Sequence, residues 1–197
     1  SADGEGTGSS PGADGGPADD RPSSASWAFV IDAGAVAAAP SITADAQVGG
    51  AASLGARLRL GPLLSELVVG TRWVSNMDTE RPEGTLQLRE IGVALGGRTL
   101  YATEHLAIGG LVEPSLRLLD VEGRTPRGAS GSSFRVLPAL LLGPELRWLI
   151  GDRVHLRGSA GVEFALQRQR FSINDQVQLD IGVARAVAQL GLVCSLP

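Results

Sequence analysis

The stretch V154-H-L-R-G-S-A-G-V-E-F-A-L166 alternates without a break, and its two sets of positions differ in kind. Counting by twos from Val154 gives Val, Leu, Gly, Ala, Val, Phe and Leu; the residues between are His, Arg, Ser, Gly, Glu and Ala. Period-two alternation over such a length is the signature of a β-strand with two unlike faces. The fold turns on which of those faces points inward.

Outward from this stretch the pattern repeats along most of the chain. Eight alternating segments are expected at about 26–38, 46–60, 63–75, 85–97, 104–119, 133–149, 153–167 and 177–193. The connections near Gly61-Pro62, Arg98 to Thr103 and Ile150 to Asp152 read as tight. Those at 39–45, 76–84, 120–132 and 168–176 read as longer polar loops, with Gly, Pro, Asn and Asp where turns need them. No helical period is sustained, which makes residues 26–197 an all-β meander. Residues 1–25, rich in Gly, Ser, Pro, Asp and Ala, offer little to bury and are expected to be a disordered tail or linker.

One face of the strands collects large apolar residues such as Ile31, Leu54, Leu67, Val69, Ile108, Val112, Leu140 and Val162. The other collects Gly, Ala and Ser together with charge: Asp32, Arg57, Glu66, Arg72, Glu90, Glu113, Arg117, Arg135, Glu145, Arg147, Arg157, Glu163 and Asp180. A closed eight-stranded barrel has only enough room inside for side chains. Small residues and Arg–carboxylate pairs fit that interior, and the aliphatic face then meets lipid. The segments also match the roughly nine to eleven tilted residues needed to cross a bilayer. Two slips in phase are expected, one between Arg89 and Glu90 and one as a bulge near Arg185.

The aromatic residues supply a second indication. Trp27, Phe29, Tyr101 and Trp148 fall near the short-turn end, and Trp73, Phe134, Phe164 and Phe171 near the long-loop end. Two aromatic girdles around an aliphatic band mark a membrane barrel.

In these respects the chain resembles the small eight-stranded outer-membrane barrels, the OmpA/OmpX-like family, over residues 26–197. The resemblance implies an eight-stranded antiparallel up-and-down transmembrane β-barrel in the outer membrane of a Gram-negative-type cell, with the termini and short turns in the periplasm. Barrels of that family usually end on an aromatic residue read by the insertion machinery, whereas this chain ends GLVCSLP, Gly191 to Pro197.

Composition narrows the function. All 17 basic residues are arginine and the net charge is −4, with no basic block of the kind nucleic acid requires. Nucleophile elbows, phosphate loops and zinc-protease motifs are all missing. His105 and His155 follow short turns and are expected to be structural, and the lone Cys194 a small residue near the end of the last strand. The expected role is structural, anchoring or loop-mediated rather than enzymatic, with no cofactor. The bilayer is the expected partner, with a periplasmic protein at the N-terminal tail as a further one. Arg124 and Arg127 read first as part of a mobile, solvated loop, with contact to lipopolysaccharide or a partner as the alternative. Two alternatives follow from other arrangements of the same faces: a soluble lipocalin-like barrel binding an apolar ligand, and a narrow pore.

Overall fold

The computed structural model describes residues 25–39, 47–82, 84–151, 153–173 and 176–197, with side chains except those of 76–79, 81, 172–173 and 176–181. The expected tail, residue 25 apart, lies outside the described residues.

Ten strands are formed among the described residues: β1 Ser26–Ala39, β2 Gln47–Leu60, β3 Leu63–Arg81, β4 Gly84–Ala102, β5 Leu106–Arg124, β6 Ser130–Leu149, β7 Val154–Ala165, β8 Gln169–Ile173, β9 Gln176–Ile181 and β10 Ala184–Leu196. Eight of them close into a ring in the order β1-β10-β7-β6-β5-β4-β3-β2, while β8 and β9 pair separately as a hairpin. Every pairing is antiparallel, and the first and last wall strands meet from Phe29↔Leu196 to Ala39↔Ala186. Closure removes the free sheet edge that hydrocarbon cannot satisfy. The turn between β2 and β3 is two residues long; Gly61 takes φ 59°, a left-handed conformation that glycine adopts with little strain.

The faces are inverted relative to a soluble barrel. Trp27 is 69 % exposed, and Phe29, Leu54, Leu67, Val112, Trp148 and Leu190 also face outward. Arg147 is 0 % exposed and Glu163 1 %. The soluble barrel with an apolar interior requires the opposite orientation, so that alternative is set aside.

Three expectations about the wall need correction. The polar stretches 76–84, 120–132 and 168–176 are mostly strand: β3 runs to Arg81 and β4 starts at Gly84, β5 reaches Arg124 and β6 begins at Ser130, and β8 occupies Gln169–Ile173. Likewise β4 continues to Ala102, so the tight connection expected at Arg98 to Thr103 is only Thr103 to His105. The β5–β6 turn is only Thr125 to Ala129, closed by the Thr125 amide on the Ala129 carbonyl at 2.8 Å. Secondly, β4 keeps its phase past Arg89 and Glu90; the extra residue sits on its partner β3, where the register shifts between Val74 and Met77. Leu86 and Leu88 point inward while Ile91, Val93 and Leu95 point outward, all without a slip. Thirdly, no bulge occurs near Arg185. Val177, Leu179 and Ile181 belong to β9 in the separate hairpin, and β10 pairs in unbroken register with β7 from Ala184↔Phe164 to Cys194↔Val154. The phase change in the sequence is a change of strand.

Candidate functional site

Alternation on eight strands converges the charged residues on the barrel axis, where they form two layers. The layer nearer the short turns is built from Asp32, Arg57, Glu66, Arg98, Glu145, Arg147 and Arg157. Arg147 grips both oxygens of Glu66, Nη1 to Oε1 and Nη2 to Oε2 at 2.6 Å each, and its Nε donates to Glu145 Oε1 at 2.6 Å. Arg57 Nε donates to the same Glu66 at 2.6 Å. Asp32 Oδ2 receives Arg98 Nη2 at 3.0 Å, the Ser53 hydroxyl at 3.3 Å and a close ion pair from Arg157.

The second layer holds Arg72, Glu90, Glu113, Arg117, Glu163 and Arg185. Here two guanidinium forks clasp Glu90. Arg117 bonds through Nε and Nη2 at 2.8 and 2.7 Å, and Arg185 through Nη1 and Nη2 at 2.8 and 2.5 Å. Arg185 Nε also reaches Glu163 at 2.5 Å, and Arg72 Nη2 bonds the other oxygen of Glu163 at 2.5 Å. Arg72 lies 3.8 Å from Glu113.

The ring order gives these contacts their meaning. β10 stands opposite β4, and β3 opposite β7. Arg185–Glu90 and Arg72–Glu163 therefore span the full width of the lumen. Forked, hydrogen-bonded pairing is the arrangement in which buried charge is tolerable. Glu66, Glu90 and Glu163 are each bonded through both oxygens, while Glu145 Oε2 has no hydrogen bond. Glycine and alanine on the same face make the room. Gly34, Gly49, Gly55, Gly70, Gly92 and Gly96 are inward positions, and Gly92 lies against the side chain of Arg72. A cavity between the layers, beside Asp32, Arg72, Arg98 and Arg157, measures about 20 Å³, roughly one water molecule.

Eleven of the thirteen charged residues expected inside are thus brought together. Arg135 is not among them: it stands exposed at the outer mouth, beyond the last carboxylate. Asp180 lies in β9, in register with Arg170 in the hairpin and not in the wall; its side chain is outside the described residues. Arg98 and Arg185, both central, are additions to the expected set. The alternating segment expected at 85–97 ends one residue short of Arg98, although Arg98 and Leu100 continue its alternation. Arg185 is hidden at the supposed bulge. Gln189, bonded by Arg157, and Ser195, bonded by Arg57 at 2.6 Å, complete the layer at the short-turn end.

The remaining marked residues fall into place around this core. His155 is buried in β7, with no hydrogen-bond partner for Nδ1, and His105 is exposed in the β4–β5 turn. Cys194 is half-buried in β10. Trp27, Phe29, Trp73, Tyr101, Phe134, Trp148 and Phe164 all project outward. Phe171 does not: it is buried at the mouth with Leu86, Leu88, Leu119, Val121, Leu137 and Ala165. A closed ring with charge within, aliphatic side chains without and aromatics toward both ends is a bilayer-spanning barrel.

No protein-family model and no curated protein sequence matches the chain. Solved structures do. A major outer membrane protein of Thermus thermophilus aligns with a TM-score of 0.59 at 16 % identity, covering 86 % of this chain and 99 % of that one. The chain has the fold of the small outer-membrane β-barrels. Ail, the attachment invasion locus protein of Yersinia pestis, aligns with a TM-score of 0.50 at 11 % identity, covering 86 % of this chain and 97 % of that one. At such identity the outer-membrane barrel fold is shared, while the residues that fill the lumen have to be read from this chain alone.

Proposed function

We propose that the protein is an outer-membrane barrel with an anchoring and surface-presenting role, its lumen sealed by the two Arg–carboxylate layers. The observation that carries this reading is the pair of bridges across the full width of the barrel, Arg185–Glu90 and Arg72–Glu163. Opening a continuous path would break forked buried pairs, each costing about 3–5 kcal/mol when one partner loses the other. The protein then serves as a rigid mount rather than a conduit or a catalyst. Its short turns and N-terminal segment, with any protein that segment recruits, sit on the periplasmic side. The β3–β6 extensions stand on the outer side, where the exposed Arg124 and Arg127 meet anionic lipopolysaccharide headgroups.

The test has two parts. Protein extracted from the envelope is expected to fractionate with outer membranes and to shift mobility on boiling in SDS. Reconstituted in a planar bilayer, it is expected to give no discrete conductance steps. Reproducible steps would make it a pore, and soluble material without a mobility shift would remove the membrane role altogether.

A further inference from the structure

Seven inward arginines, at 57, 72, 98, 117, 147, 157 and 185, each meet a carboxylate within the lumen. An eighth does not. Arg135 lies on the inward side of β6, two residues before the fully buried Leu137 and in register with the fully buried Leu119. Among the described residues it forms no ion pair, and no carboxylate shares its level on β5 or β6.

Arg135 borders a cleft of about 450 Å³ between the tip of the β5–β6 hairpin and β8. Leu86, Val121 and Phe171 form its floor, and Thr125, Ser133 and Arg170 border it with Arg135. The floor is the open top of the buried apolar cluster, so the cleft joins a dry surface to a guanidinium fork. Its size is that of a small-molecule site, and it sets an apolar floor beside a hydroxyl-rich rim, Ser130 and Ser132 included, that carries two arginines. The cleft opens on the inner side of the wall, away from the face that meets lipid acyl chains. Its occupant therefore arrives from water.

We propose that this cleft binds a small organic anion, with a carboxylate or phosphate on the Arg135 fork and an aryl or acyl body on Phe171. Arginine favours such oxyanions because its planar donors match their geometry in pairs. The apolar body covers the small area that the largely buried Leu86, Val121 and Phe171 turn toward the cleft, which inorganic anions cannot do. The site rests on the closed-barrel reading, since Phe171 and Leu86 share a cluster only if the wall closes beneath them.

The experiment uses the full chain folded in lipid nanodiscs, with 4-phenylbutyrate as probe and arginine side-chain NMR as readout. Saturable shifts are expected at Arg135 Nε–H, together with line broadening of the Phe171 ring. R135Q and F171A should each weaken binding by about tenfold or more, since each removes a charged hydrogen bond or the apolar contact. R135Q lies outside both the lumen network and the apolar cluster and should keep the mobility shift on boiling, which separates a failed site from a failed barrel. F171A also opens the apolar cluster, so its loss counts for the site only if F171L, which keeps the cluster filled, weakens binding as well. The site is overturned if R135Q binds as tightly as the parent, if neutral 4-phenylbutyramide matches the acid, or if acetate alone does. Absence of saturable binding at millimolar probe with the barrel folded overturns it as well.

Discussion

Strand β4 carries two regions that obey opposite rules. From Leu95 to Ile91 its outward residues are aliphatic and its inward neighbours are glycine, alanine and Glu90. Two residues further on, outward positions are Arg89 and Gln87, and inward positions are Leu88 and Leu86. The backbone keeps one phase throughout, so the side chains and not the strand have switched. Below the switch the surroundings are hydrocarbon, and the only place for charge is the interior. Above it the surroundings are water, and the wall buries its apolar face as any soluble sheet does. On β5 the same change separates outward Leu116 from outward Asp120, and inward Arg117 from inward Leu119. The level at which the rule flips marks the edge of the membrane.

That contrast can be broken most severely from inside. Glu90→Ala strips two guanidinium forks of their only shared carboxylate. It should cost about 3–5 kcal/mol, read as a lower urea midpoint for the barrel in vesicles, or prevent folding outright. Leu119→Ala, just above the flip, leaves a cavity in the apolar cluster. It should cost about 2–5 kcal/mol, with protease sensitivity rising at the β8–β9 hairpin before the wall unfolds. An arginine series along the outward face of β4 sharpens the boundary itself. Leu95→Arg should destabilise by about 2–4 kcal/mol and Gln87→Arg by about 0–1, because charge on the lipid face costs more with depth. Equal penalties at the two positions would place both on the same side of the membrane edge. An effect smaller than that at Leu95 is expected at Gly50. A Cβ there would come within 2.3 Å of the Trp73 ring, which lies across the glycine. Gly50→Ala should shift Trp73 fluorescence and cost about 1–3 kcal/mol, as overpacking does.

The same contrast explains what can be read from the sequence. Inverted faces, seven of the eight girdle residues and eleven of the thirteen charged interior residues are legible because two-residue periodicity survives any tilt or register. The strand extensions are not. Above the membrane edge, polar residues such as Asp120, Glu122 and Arg124 alternate with Leu119, Val121 and Gly123, and short polar stretches rich in glycine resemble loops. The slip expected between Arg89 and Glu90 has the same origin: in a sequence, an exchange of chemical character looks like an exchange of backbone phase. Arg98 and Arg185 escape for want of a boundary, one at a strand end and one at a strand start. Periodicity carries no information on either.

The seam between β1 and β10 sets the order of events when the barrel forms. These strands lie at opposite ends of the wall's sequence, yet they pair over the whole run from Phe29↔Leu196 to Ala39↔Ala186. Contacts at such separation are the slowest to find each other. Until β10 arrives, Glu90 lacks one of its two forks, Glu163 lacks Arg185, and both edges of the sheet stand open. Assembly is therefore all-or-none in time as well as in space: the chain must be kept from aggregating until its final strand is delivered, and the last buried guanidinium, Arg185, meets Glu90 and Glu163 in the same step that shuts the wall.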